Sequence, residues 1–202
     1  MAVAIFKDWF VDFGPTRARM EGRKPYLPPE LWNLFPDTLD GEGKPVGWPQ
    51  ETIGDLIVAN TEQGFDHLLI GYSALVPGWA GKEGLFSHHI FKVQPRSTSS
   101  LSRVWLHYAM LASWFGESIR KFSNGTTVNM LPQNAFEIPE IIVPSSGLVR
   151  AFDDLVGSML RKQEDSVGES RTLARTRDLL LPKLMSGEIH LRDVEKAMEG
   201  IT

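Results

Sequence analysis

The sequence predicts an α+β fold: one small mixed α/β domain followed by a long C-terminal helix of the coiled-coil-forming kind. Three observations carry that expectation. Residues 148–189 hold apolar side chains at helical spacing over an unusual length. Short β-rich runs at 68–75, 89–93 and 138–144 are set apart by glycine and proline breakers. Between the last two runs, residues 101–121 follow the period of a single amphipathic helix.

The elements follow in order. Residues 2–13 bring Phe6, Trp9, Phe10 and Phe13 together at helical spacing, and Gly14-Pro15 ends the piece. So short a helix is not stable alone, so it should pack on another element, with the C-terminal helix as the expected partner. Residues 24–50 are dense in proline and glycine and read as an ordered loop or linker, with a short helix after Pro28-Pro29. Residues 51–100 read as strands and turns, broken at Pro77-Gly78 and at Gly81 and Gly84.

In the helix at 101–121, Ser99 or Ser100 serves as cap, and Val104, Tyr108, Leu111, Phe115 and Ile119 form its stripe. Residues 122–131 are a turn entering a strand. A last strand at 138–144 then leads to the long helix.

That helix places Leu148, Phe152, Leu155 and Met159 on one face, and the same register reaches Leu173 and Leu180. The register also passes through Lys162, Ser166, Glu169 and Thr176, and Gly157 and Gly168 lower helix propensity. Pro182 should break or kink the helix near its end, with Gly187 following. A helix this long that cannot cover its own stripe is an assembly element seeking a partner helix.

With 202 residues there is room for one domain and an extension. The absence of cysteine excludes disulfides, thiolate metal sites and a cysteine nucleophile. No apolar run approaches the roughly 18 residues of a membrane span, and the N-terminus lacks the pattern of a secretory signal. A cytoplasmic protein is expected. The net charge is −4, yet residues 82–129 carry six basic side chains (Lys82, Lys92, Arg96, Arg103, Arg120, Lys121) against Glu83 and Glu117. Residues 51–81 hold four acids and no Lys or Arg. A basic middle between acidic arms suits nucleic acid in the middle and protein partners on the arms; an unevenly charged solvated surface would look the same.

Catalytic patterns are missing. His88-His89 would point to opposite faces of a strand and have no acid at ligand spacing, so no metal site is expected. Neither Ser73 nor Ser145-Ser146 sits in a nucleophile elbow. Residues 78–83 lack the spacing and hydroxyl of a phosphate-binding loop, and no dinucleotide-binding or methyltransferase motif occurs. The chain reads as a non-enzyme.

Two stretches carry a family resemblance. Thr-Arg-Asp-Leu-Leu-Leu-Pro-Lys-Leu-Met-Ser-Gly-Glu-Ile at 176–189, with the helix before it, closely resembles the C-terminal end of specificity subunits of type I restriction-modification systems. Residues 5–13, 17–23, 34–37 and Gly47-Trp48 resemble the stretch in that family that closes one spacer helix and enters the second target recognition domain. The resemblance covers roughly residues 1–50 and 123–190 and is weaker between them.

It implies a remnant of the central spacer helix at 1–24, a linker at 25–50, a target recognition domain at 51–144, a C-terminal spacer helix at 145–189 and a tail at 190–202. It further implies a half-subunit that reads one half of a split double-stranded DNA target and docks a methyltransferase (modification) subunit, and through it a restriction subunit. S-adenosylmethionine and ATP are then expected on those partners and no cofactor on this chain. The recognition region, about 90 residues from Trp48 to Ile138, is short for the family.

Candidate DNA contacts are Lys82, Lys92, Arg96, Ser97, Thr98, Arg103, Arg120, Lys121, Asn124, Thr126 and Thr127, with Ser99, Ser123 and Asn129 beside them. Arg and Asn suit base edges, and Ser and Thr suit phosphates. Candidate helix–helix packing residues are Leu148, Phe152, Leu155, Met159, Leu173 and Leu180. Three arrangements stay open: a homodimer reading a palindromic split target, pairing with a separate N-terminal half, or a degenerate remnant acting only as a helical adaptor for the modification subunit.

Overall fold

The computed structural model describes residues 1–60, 67–69, 73–76, 92–120, 130–132, 136–137 and 139–190; for residues 67–69 and 130–132, and for Asn60 and Arg120, it describes the backbone alone. The architecture is α+β. The chain forms two compact units, Met1–Met159 and Leu160–Thr202. That division falls inside the long C-terminal helix.

Helix α1 (Ala2–Phe10) buries Phe6, Trp9 and Phe10, the aromatic residues the spacing singled out. The helix stops at Phe10, short of Gly14-Pro15, and that pair instead opens α2 (Gly14–Met20), because proline is tolerated in a first turn where its missing N–H has no partner to lose. Phe13 makes the corner in the left-handed region (φ 53°). A Cβ at residue 14 would meet the Asp8 carboxylate and the Tyr26 hydroxyl, so a larger residue there would force those side chains to move.

Helix α3 (Pro29–Trp32) follows Pro28-Pro29 as expected. Arg19 locks it: Nη2 donates to the Trp32 carbonyl (2.7 Å) and Nη1 to the Phe35 carbonyl (3.3 Å), and the guanidinium pairs with Asp37. The proline-rich stretch is therefore part of the folded unit. Trp32 and Phe35 are buried, and Trp48 meets Phe10 and Phe13 at ring centroid distances of 6.2 and 6.0 Å.

Strands β1 (Gln50–Thr52), β2 (Ile57–Asn60), β3 (His67–Leu69), β4 (Lys92–Pro95), β5 (Met130–Pro132) and β6 (Glu140–Ile142) form three two-stranded antiparallel ribbons among the described residues: β1 with β6, β2 with β4, and β3 with β5. In the second ribbon Val58 lies opposite Gln94 and Asn60 opposite Lys92. Neither α2 nor the short helix α4 (Ile53–Leu56), capped by Thr52, was read from the sequence. Gly54 lets α4 approach the 136–137 turn, since a Cβ there would stand 3.1 Å from the Glu137 Cα.

The single helix expected over 101–121 is two helices, α5 (Arg103–Leu111) and α6 (Ser113–Arg120). Ala112 takes an extended conformation (φ −69°, ψ 142°) and breaks the run. The cap is Ser102, whose hydroxyl accepts from the Trp105 N–H at 2.9 Å, and not Ser99 or Ser100. Ser99 caps locally instead, accepting from the Leu101 N–H.

The core of the first unit centres on Phe152 of α7 (Ser146–Met185), which is fully buried. The rings of Phe6, Trp9, Phe10 and Tyr108 stand 5.7, 6.1, 5.3 and 5.7 Å from it, mostly edge to face, the arrangement aromatic quadrupoles favour. Trp105 closes the cluster against Phe6 and Phe10. Leu148, Val149 and Val156 of α7 are buried in the same unit, and Phe152 packs against α1 and α5.

Helix α7 continues through Gly157, Gly168 and Pro182 and stops at Met185, with Gly187 at φ 74°. Among the described residues no helix is long and apolar enough to cross a membrane.

Candidate nucleic-acid interface

Strand β4 alternates exposed and half-buried residues: Lys92 and Gln94 face solvent while Val93 and Pro95 turn inward, as side chains on a pleated strand must. The Arg96 N–H donates to the Leu56 carbonyl at 2.8 Å, which carries the pairing one residue past the strand and leaves the Arg96 side chain exposed. The Arg96 guanidinium donates through Nη2 to the Gly54 carbonyl at 3.1 Å. This contact ties one edge of the fork and leaves its other donors toward solvent.

A tight turn follows, closed by the Ser99 N–H on the Arg96 carbonyl (3.0 Å), with Ser97 and Thr98 exposed at its tip. Buried Leu101 anchors the far side. Ser102 then starts α5 and Arg103 is its first residue, exposed. Lys92, Arg96, Ser97, Thr98 and Arg103 are therefore brought onto one continuous stretch of strand, turn and helix start.

The start of α5 is held from beneath. The Ser102 hydroxyl donates to Asp153 Oδ1 of α7 at 2.6 Å while accepting from the Trp105 N–H. Burial holds the Asp153 carboxyl above its ordinary range; the Ser102 bond opposes that shift and the neighbouring Asp154 adds to it. Further along α5, His107 Nδ1 lies 2.9 Å from Ser73 Oγ, and burial pushes the imidazole below its ordinary value. Both groups support the framework.

Lys82, Lys121, Ser123, Asn124, Thr126, Thr127 and Asn129 lie outside the described residues, as do His88 and His89. Arg120 is the last residue of α6. Gln94, not among the residues singled out from the sequence, is exposed on the same strand as Lys92.

The candidate packing residues separate into two groups. Leu148 and Phe152 are fully buried, Leu155 and Met159 half-buried, all within the first unit. Val149 and Val156, off the expected stripe, are also buried; the spacing of Leu148, Phe152 and Val156 by fours was the legible sign. In the second unit Leu173 and Leu180 are 62% and 42% exposed, with Leu179, Leu181, Leu184 and Met185 exposed beside them. No group of three or more His, Asp or Glu among the described residues is placed to hold a metal ion.

No family model matches the chain, and no solved structure does. Over 67 residues the chain is 39% identical to a curated protein of Haemophilus influenzae, a stretch that takes in 33% of this chain and 15% of that protein. Over that stretch the chain is similar to the specificity subunit of the type I restriction enzyme HindI.

Proposed function

We propose that this chain is a non-catalytic DNA-specificity polypeptide of a cytoplasmic type I restriction-modification complex. In this reading the region 51–144 reads one half of a split target, and the helix from 145 to 189 docks a methyltransferase subunit. Methyl transfer, S-adenosylmethionine and ATP belong to the partner subunits. The observation that carries the reading is the similarity to a specificity subunit. The exposed Lys92, Arg96 and Arg103 on a ribbon, turn and helix start support it, because phosphate contacts require such cations. Since the chain as a whole carries −4, its grip on DNA alone is weak and the partner subunit supplies the rest.

The test is co-purification with a type I methyltransferase subunit, followed by selection from randomised duplex DNA at fixed salt. Enrichment of a defined half-site, single or mirrored, is the expected result, and its symmetry distinguishes one copy from two. Failure to co-purify overturns the reading. A second reading, an adaptor that docks the modification subunit and reads nothing, is favoured by the exposed leucines between Leu173 and Leu184. It predicts co-purification without enrichment of any sequence.

A further inference from the structure

A two-stranded β-ribbon is one of the two elements that fit the major groove of DNA, and among the described residues β2–β4 is such a ribbon. One face carries Lys92, Gln94 and Arg96 in alternation, with Val58 directly across from Gln94 and 39% exposed. At about 3.4 Å per residue, Lys92 and Arg96 stand roughly 14 Å apart along the strand, comparable to the ~12 Å width of the major groove. Cations at both ends are placed for phosphates. The uncharged amide between them is placed over base edges, and no hydrogen bond among the described residues engages it. An amide pairs bidentately with the N6 and N7 edge of adenine, and an apolar side chain beside it contacts the thymine methyl.

We propose that Gln94, with Val58 opposite it, reads an A·T base pair in the major groove. The inference rests on the reading that this chain binds DNA, and it names the residue that supplies part of the specificity.

The test is selection from randomised duplexes using the full chain with its methyltransferase subunit, wild type against Gln94→Ala, Val58→Ala and Lys92→Ala. Matching thermal unfolding curves verify that the exposed substitutions leave the fold intact. Gln94→Ala is expected to lower the preference for A·T at one position on the order of 10-fold, with the other positions and the salt slope unchanged. Replacing thymine by uracil at that position should weaken the wild type several-fold and leave Val58→Ala indifferent. Lys92→Ala should weaken all sequences alike. If the wild type and Gln94→Ala enrich the same motif equally, or the lost position is G·C, the assignment of Gln94 is overturned while DNA reading stands. If the wild type enriches nothing, DNA reading falls and this inference with it.

Discussion

Phe152 has no solvent exposure and touches four aromatic rings contributed by α1 and α5. Its truncation leaves a cavity that those rings cannot collapse to fill. Phe152→Ala is therefore expected to cost about 3–5 kcal/mol of stability, measured by denaturant unfolding of the first unit's core signal. Asp153, its neighbour, gives a different signature. Burial raises its folded-state pKa above the unfolded value, so the folded state holds the proton longer. Its contribution to stability is present at low pH and is lost as pH rises through that raised pKa. Asp153→Asn keeps an acceptor for Ser102 and abolishes the titration. The variant should unfold at or above the wild-type midpoint at neutral pH, and its advantage should vanish at the acid end. His107 runs the other way: burial lowers its folded pKa, so stability is lost as pH falls below the ordinary 6.5.

At the scale of elements, the short aromatic helix α1 was legible because Phe6, Trp9 and Phe10 leave it no stable existence without a partner. The start of α7 was legible for the same reason, through Leu148 and Phe152. The break at Ala112 was not, because nothing in a residue with high helix propensity announces an extended conformation; Trp105 and Tyr108 before it and Phe115 after it are all buried. Likewise the proline-rich 25–50 stretch hid its structural role, since Arg19 reaches carbonyls 13 and 16 residues away, a contact that no local pattern reveals. Ser102 holds both the first turn of α5 and the carboxylate of α7. Ser102→Ala should cost about 1 kcal/mol through the lost cap, with a further loss from stranding Asp153, whereas Ser99→Ala should cost less. A comparison of their urea midpoints decides between them.

For the whole molecule, charge and exposure divide the work. Of the basic side chains that the sequence marked at 82–129, Lys92, Arg96 and Arg103 are exposed. Among the described residues of the second unit, Leu173, Leu179, Leu180, Leu181, Leu184 and Met185 are exposed. Introducing Asp at Leu180 should weaken docking of a methyltransferase subunit while leaving the thermal midpoint of the Met1–Met159 unit unchanged; pull-down and calorimetry on the same variant check both halves. The central claim is that DNA lies against β4, its turn and the start of α5. Its most direct test is the salt dependence of binding to a selected duplex, for the wild type and for Lys92, Arg96 and Arg103 replaced together by alanine. The slope of log K against log salt should fall by roughly 0.9 for each phosphate contact removed. An unchanged slope and affinity would place the DNA elsewhere and contradict the account.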